Sequence, residues 1–360
     1  MRVCFLVEGA AWTGGARAFA EAARALAARG YDVTMACGAG TEVERRCRSA
    51  GLDVILLRGT ASRGRAAWGL HAVLKSRFVE VVFVHSEREQ LVAAAAVRLA
   101  GRGAVVRRVP PQGRLTFGGE ATLASRLAAT GFLFAFADDQ RAAKPPSRAL
   151  EPVVAPPAVD VTSSSPPPPD APTAGVTGRT IACLFGAPPH ARVTAMLRTI
   201  ALLAGRHPTL RLALVGPLAD DDALRIQAAA LGIGGVVSRS VDPSERTAIL
   251  RQATIACVFA EGDDAAYGLL DCFVAGVPVI VGRDPLATRF VTDGVNGLFA
   301  TALDSSAMAA LIAALLADGP RLPRLAEGAR ESARRWPMAA MADGFERATV
   351  AARDRTRWRG

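Results

Sequence analysis

Lysine is almost missing from this 360-residue chain: Lys75 and Lys144 are the only two, so 41 of the 43 basic residues are arginine. That bias reads as a GC-rich genome spelling its basic positions as Arg, and it assigns no function. The six cysteines are scattered, with no Cys-x-x-Cys pair and no Cys/His cluster, which excludes a disulfide scaffold and predicts buried, reduced thiols in a cytoplasmic protein. No apolar run approaches the roughly 20 residues that span a bilayer. The longest candidates are Phe132 to Ala137 and Met308 to Ala317, so any membrane contact is expected to be peripheral. The opening run Met1–Val7 is too short for a signal-peptide core and meets Glu8-Gly9. Gly-Lys-Ser/Thr is absent, which excludes a Walker loop. Nothing looks like a nucleic-acid module, so no nucleic-acid partner is expected.

What is present fits two domains of roughly 150 residues each. With 51% hydrophobic and 21% charged residues, the chain is rich enough to bury two cores and too apolar to be disordered. The net charge of +10 is unevenly placed. Residues 1–150 hold 22 basic and 12 acidic side chains, 151–178 hold none and three, and 179–360 hold 21 and 18. The positive field therefore belongs to the first half, where it suits a polyanionic partner such as an anionic membrane face.

Short β-rich runs alternate with Ala-rich helical stretches, the pattern of a parallel sheet covered by helices. Strands are expected at 3–7, 32–36, 54–57, 81–84, 104–109, 132–136 and 153–154, with helices at 16–29, 42–50, 68–77 and 90–99 between the first five. Residues 161–178, rich in Ser and Pro, cannot form a core and read as a linker. The alternation then restarts, with strands at 181–185, 211–215, 236–238, 255–259 and 279–281 and helices at 193–206, 221–231, 244–252, 268–275 and 305–316. A helical segment, 336–357, closes the chain. The expected organisation is an α/β protein of two doubly wound, Rossmann-like parallel-sheet domains, 1–160 and 179–335, facing each other across a cleft that is the default ligand site.

Two segments carry candidate chemistry. In the first β-to-α turn, Thr13-Gly14-Gly15-Ala16, paired glycines let the backbone approach a ligand whose anion meets the first helical N–H groups, although a plain structural turn fits as well. It is not Gly-x-Gly-x-x-Gly, and the second strand ends without an acid for a ribose, so a dinucleotide is disfavoured. In the second, Asp263-Asp264-Ala265-Ala266-Tyr267-Gly268-Leu269-Leu270-Asp271, two carboxylates bracket a loop and a helix start. Asp271 sits in an otherwise apolar helix, a costly place for a carboxylate without a partner. Either it binds a hydroxylated ligand, or Asp263 and Asp264 cap the helix and Asp271 meets an arginine. Asp220-Asp221-Asp222 reads as a helix start, not a metal motif, so no metal is expected.

The order Leu214-Val215-Gly216-Pro217, Ser244-Glu245, Asp263 to Asp271, Ala275-Gly276-Val277-Pro278-Val279 and Asp293-Gly294-Val295-Asn296-Gly297-Leu298 resembles the carboxyl domain of the family 4 (group 1) glycosyltransferases, whose two Rossmann-like domains form the GT-B fold. Thr13-Gly14-Gly15 with the helix through Arg29-Gly30-Tyr31 is similar to the family's Gly-Gly loop and first helix, and Pro156-Pro157-Ala158-Val159-Asp160 to the segment closing its first domain. The likeness spans nearly the whole chain, strong over 181–300 and weak over 110–150. It implies a retaining, metal-independent transferase that moves a sugar from a UDP-, GDP- or ADP-sugar to an envelope glycan, lipid-linked or small-molecule acceptor held by the first domain. The alternative it leaves is a catalytically impaired relative that binds nucleotide or partners a glycan-assembly enzyme.

Residue by residue, the resemblance places Asp263 on the donor sugar hydroxyls and Asp271 on the nucleotide ribose, standing for two family glutamates separated by seven residues. It places the amides of Ala265, Ala266 and Tyr267 near sugar and phosphate, Gly14 and Gly15 by the diphosphate from the other domain, and Arg192 at the position of a diphosphate-neutralising Lys. The terminal helix from Trp336, residues 336–360, returns to the first domain. The chain departs from the family where Ala187 replaces an Arg, where Pro285-Leu286 replaces a Gly-Gly, and where the active-site His finds no match. Arg107 is the candidate to replace that His electrostatically, with Arg108 beside it; His85 is read as structural.

Overall fold

The computed structural model of the chain describes all residues except 58–61, 114, 116–117, 144, 146–148, 162–178, 187–189, 218, 220, 243, 302–303 and 358–360. It divides into two compact units, Met1–Ala158 with Met338–Gly360, and Val159–Pro337. The Ser/Pro-rich linker lies, Val161 apart, outside the described residues.

Unit 1 runs β1 (Arg2–Val7), α1 (Gly14–Ala28), β2 (Asp32–Gly38), α2 (Glu42–Ser49), β3 (Asp53–Leu57), α3 (Arg63–Ser76), β4 (Val81–Val84), α4 (Glu87–Ala100), β5 (Ala104–Val109), α5 (Gly119–Leu127), β6 (Thr130–Phe134), α6 (Ala137–Ala142) and β7 (Val153–Val154). The strands form one parallel sheet in the order β3-β2-β1-β4-β5-β6-β7. Central strands β1 and β4 are buried on both faces, which is why they read as continuous apolar runs; β5 is buried along its length as well, although it carries Arg107 and Arg108. Caps set the helix starts. Thr13 Oγ1 accepts from the Ala16 amide, Thr41 Oγ1 from the Glu44 amide, and Ser86 with Glu89 forms a capping box at α4.

Unit 2 runs β8 (Thr180–Phe185), α7 (His190–Ala204), β9 (Arg211–Val215), α8 (Asp222–Ala230), β10 (Val237–Ser240), α9 (Arg246–Gln252), β11 (Ala253–Phe259), α10 (Gly262–Ala275), β12 (Val279–Gly282), α11 (Ala287–Phe290), β13 (Gly297–Ala300), α12 (Ser305–Ala317) and α13 (Arg321–Ala333). Its six parallel strands take the order β10-β9-β8-β11-β12-β13. The Asp293–Gly297 motif is scaffold here. Asn296 is fully buried, its Nδ2 donating to the Phe290 carbonyl and to Ser332 Oγ, both at 2.9 Å, while its Oδ1 accepts from the Thr292 amide at 2.8 Å. A Cβ at Gly216 would collide with the Phe185 carbonyl, so the Gly-Pro turn after β9 needs its glycine.

The last helix, α14 (Met338–Arg357), belongs to unit 1. Phe345 is buried, its ring 5.1 Å from Phe83, 5.8 Å from Phe5 and 6.4 Å from Phe19. A Cβ on Gly344 would come within 2.5 Å of both Ala155 Cβ and the Val154 carbonyl, so only glycine lets the helix lie against β7. Arg29 pairs with Asp343 at 2.7 Å and Glu346 at 2.6 Å, and Tyr31 donates to Glu346 at 2.8 Å. Trp336 does not travel with this helix: it stacks on Phe290 in unit 2, ring centroids 4.4 Å apart, and the helix starts at Met338, after Pro337.

Elsewhere the elements differ from the sequence reading mostly at their ends. α10 begins at Gly262, six residues early, because acids in a helix's first turn are favourable and not only capping. β6 lies two residues early because Phe136 is already the extended N-cap of α6. The sequence reading has no counterpart for α5, α6, α11, β13 or α13; the last accommodates Pro323 in its first turn, where proline removes no helical hydrogen bond. Among the described residues no helix is long and apolar enough to cross a membrane.

Candidate functional site

In unit 2 the carboxyl ends of β8 and β11 are level, Phe185 pairing in register with Phe259. Immediately beyond them, Gly186 lies under the first turn of α10, where an added Cβ would stand 3.6 Å from Ala260 Cβ and 3.8 Å from Asp264 Cβ. The residue after the N-cap, Gly262, has φ of +56°, a left-handed conformation that turns the chain into the helix. Asp263 and Asp264 therefore occupy the first turn, with Asp263 buried, where the helix dipole favours negative charge.

Asp271 lies two turns on, and its Oδ2 accepts from Arg246 Nη1, the first residue of α9, at 3.2 Å; the two side chains are 16% and 23% exposed. The arginine partner that the apolar helix demands is thus in place. Arg246 keeps a buried Nε with no hydrogen-bond partner among the described residues. Ala265, Ala266 and Tyr267 are buried within α10, and the Ala265 amide donates to the Glu261 carbonyl at 3.3 Å. That bond starts the helical ladder, and helix geometry leaves the outward amides of α10 to its first turn, Gly262 to Asp264.

Arg192 is exposed on the first turn of α7, the helix that follows β8. Positions 187–189, including the Ala187 departure, lie outside the described residues. At Pro285-Leu286, Asp284 Oδ1 accepts from the amides of Leu286 at 2.8 Å and Ala287 at 2.9 Å, so α11's own cap takes up both. Asp221 Oδ1 caps α8 by accepting from the Ala223 amide at 2.9 Å, and Asp220 is outside the described residues. No group of three or more His, Cys, Asp or Glu placed to hold a metal ion occurs among the described residues. All six cysteines are buried and unpaired, and burial pushes the Cys4, Cys47 and Cys257 thiols up to about 12.

In unit 1, Gly14 and Gly15 are the buried opening residues of α1, and neither has a positive φ. Small size at a helix N-terminus, not left-handed geometry, is what the pair supplies. Beside them, at the carboxyl edges of β1 and β4, a network appears that sequence reasoning missed. Buried Glu89 accepts from the Glu8 amide at 2.9 Å and from the His85 and Ser86 amides at 3.1 Å. Glu8 Oε2 meets Arg88 Nε at 2.9 Å, yet burial, outweighing Arg88, pushes the Glu8 carboxyl above its usual range. The Ser86-x-x-Glu89 spacing was a legible signal; that Glu89 also reaches back to β1 was not.

His85 stacks edge-on against Phe19 at 5.3 Å, with Nδ1 3.1 Å from Glu89 Oε2 at an angle that makes no hydrogen bond. Arg107 is buried on β5 and directed at α4, its Nη1 3.1 Å from Gln90 Oε1 and 3.5 Å from Glu87 Oε1; burial lowers its pKa. Its neighbour Arg108 is buried as well and, by strand alternation, leaves the opposite face of the sheet.

Residues 176–332 match the family Glycosyl transferases group 1. No curated protein matches the chain. Among solved structures, the chain is similar to Alr3699/HepE of Anabaena in complex with UDP and glucose, at 16% identity and TM-score 0.77, covering 97% of this chain and 99% of that one. It is similar to a glycosyltransferase of Rickettsia africae ESF-5, at 11% identity and TM-score 0.74, covering 97% and 98%. Sucrose-phosphate synthase of Thermosynechococcus elongatus gives 14% identity and TM-score 0.70, covering 96% and 98%. The two parallel-sheet units thus have the GT-B fold, and within unit 2 residues 176–332 resemble the group 1 glycosyltransferases.

Proposed function

We propose that the protein is a retaining, metal-independent transferase that moves a sugar from a UDP-sugar, held by unit 2, to an envelope glycan, lipid-linked or small-molecule acceptor taken by unit 1. The observation that carries the reading is α10: its first turn, with Asp263 buried in it, lies at the carboxyl end of β11, and Asp271 follows at the separation the resemblance requires. UDP is chosen over GDP or ADP because Alr3699/HepE was solved with UDP and glucose. Asp263 receives the sugar hydroxyls and Asp271 the ribose. Negative charge builds on the leaving diphosphate in the transition state, so preorganised cations and helix N-termini lower the barrier. Arg192 and the first turn of α10 supply these in unit 2; Gly14 and Gly15 open the matching helix N-terminus in unit 1. Arg107, tied to Glu87 and Gln90, acts as a fixed positive charge at the carboxyl edge of β5. The working compartment is the cytoplasm, with the acceptor presented at the inner membrane face to the basic first unit.

Titration calorimetry with UDP, and UDP release from UDP-glucose, test this reading. Losing a charge-assisted hydrogen bond costs about 1.5–3 kcal/mol, so Asp271→Ala is expected to weaken UDP about 10- to 150-fold. Unchanged UDP affinity in that variant would sink the ribose assignment. A second reading, a nucleotide-binding relative with impaired turnover that partners glycan assembly, is favoured by the Arg246 contact already satisfying Asp271. Tight UDP binding with no UDP release from any nucleotide-sugar would decide for it.

A further inference from the structure

The outward face of the α3–α4–α5 layer of unit 1 carries side chains that neither the core nor the donor chemistry uses. On α3, Arg65, Trp68, Ala72 and Lys75 form an exposed stripe at helical spacing. Trp68 is 65% exposed, and its ring meets His71 at 5.2 Å. α4 packs beside α3 and adds Arg98 and Leu99 in its last turn; α5 packs beside α4 and adds Leu123 and Arg126. Just past α3, Phe78 is 53% exposed with φ of +52°, an uncommon conformation for an aromatic residue. The guanidiniums of Arg2 and Arg102 stand over its ring at 5.3 and 4.9 Å.

Helix dipoles favour cations in the last turn, so Lys75, Arg98 and Arg126 alone imply nothing. They do not account for a tryptophan, a phenylalanine and two leucines left in water among those cations. The carboxylates of the layer pair with other groups than the four exposed cations Arg65, Lys75, Arg98 and Arg126: Glu87 with Arg107, Glu89 with the amides of Glu8, His85 and Ser86, and Glu120 with Arg63 at the start of α3.

We propose that this face docks on an anionic lipid bilayer. Arg65, Lys75, Arg98 and Arg126 meet the headgroup phosphates, and Trp68, Leu99 and Leu123 enter the boundary between headgroups and acyl chains. A nucleic acid would satisfy the cations and leave the leucines in water. The assignment rests on the membrane-presented acceptor of the reading above, and independently of the transfer chemistry.

Co-sedimentation of the full chain with phosphatidylcholine vesicles, with or without phosphatidylglycerol, tests it. Partition is expected only with the anionic lipid. Each of Arg65→Gln, Lys75→Gln and Arg98→Gln is expected to weaken it about fivefold, the effect of about 1 kcal/mol per basic side chain at such a surface. Trp68→Ser should lower retention as salt is raised, while Arg206→Gln, an exposed position of unit 2, leaves partition unchanged. Equal binding to both vesicle types, no binding, an Arg206→Gln loss as large as the others, or capture of an RNA oligomer without vesicle partition would overturn the proposal. UDP release from UDP-glucose in free solution, read on the same variants, separates the two claims. Release without partition sinks the lipid surface alone, and partition without release from any nucleotide-sugar sinks the transferase alone.

Discussion

Removal of the Phe345 ring probes whether a helix some 180 residues distant along the chain from the rest of unit 1 is part of its core. The ring is fully buried against Phe5, Phe83 and Phe19. Truncating such a residue to Ala costs about 3–5 kcal/mol, the lost transfer energy plus the cavity left behind. In a unit of roughly 180 residues, each kcal/mol moves the melting point by about 2–4 °C, so Phe345→Ala should lower the unit 1 transition by about 6–20 °C. Arg29→Ala is the informative contrast. It deletes two close ion pairs, but Asp343 and Glu346 are 54% and 38% exposed, so the loss should be no more than about 1 kcal/mol. Calorimetry of the full chain and both variants measures the difference, with Phe345→Leu retaining most of the stability if packing is the cause. A Phe345→Ala loss below about 1 kcal/mol, or an Arg29→Ala loss exceeding it, would refute the view that α14 is held by its apolar face.

Two further outcomes follow from buried or paired polar groups. Asn296→Leu removes three hydrogen bonds and strands the Thr292 amide and the Phe290 carbonyl, at about 1–3 kcal/mol per group; denaturant unfolding should show unit 2 weakened while UDP affinity of the folded protein is unchanged. The Glu346 carboxyl is held below its usual range by the Tyr31 hydroxyl and then by Arg29, so the folded state binds its proton less readily than the unfolded chain. Its stabilisation is present above the unfolded value of 4.5 and is lost as pH falls through the lowered folded value. Glu346→Gln should therefore narrow its stability gap to the parent as the pH of thermal melts is taken below about 4.5, and a gap independent of pH would refute the assignment.

The alternation of short apolar strands with helical runs made both sheets legible, because parallel strands buried on both faces are mostly apolar. Spacing singled out Asp263 and Asp271, and the apolar neighbours of Asp271 by themselves demanded a partner for it. What local pattern does not contain is the identity of groups brought together from distant sequence. Arg246 as that partner, Glu89 gripping the amides of Glu8, His85 and Ser86, and Phe345 among the aromatics of unit 1 are decided by where the sheets place β1, β4, α9 and α14. Arg107 shows the same limit: strand alternation assigns it a face, but only packing decides that α4 fills that face and takes its guanidinium. The +10 charge and its bias toward the first half were fixed by composition; that its cations share a helical layer with Trp68, Leu99 and Leu123 follows from three helices lying side by side. Sequence periodicity specifies which face of an element is apolar, and the tertiary structure decides what covers it.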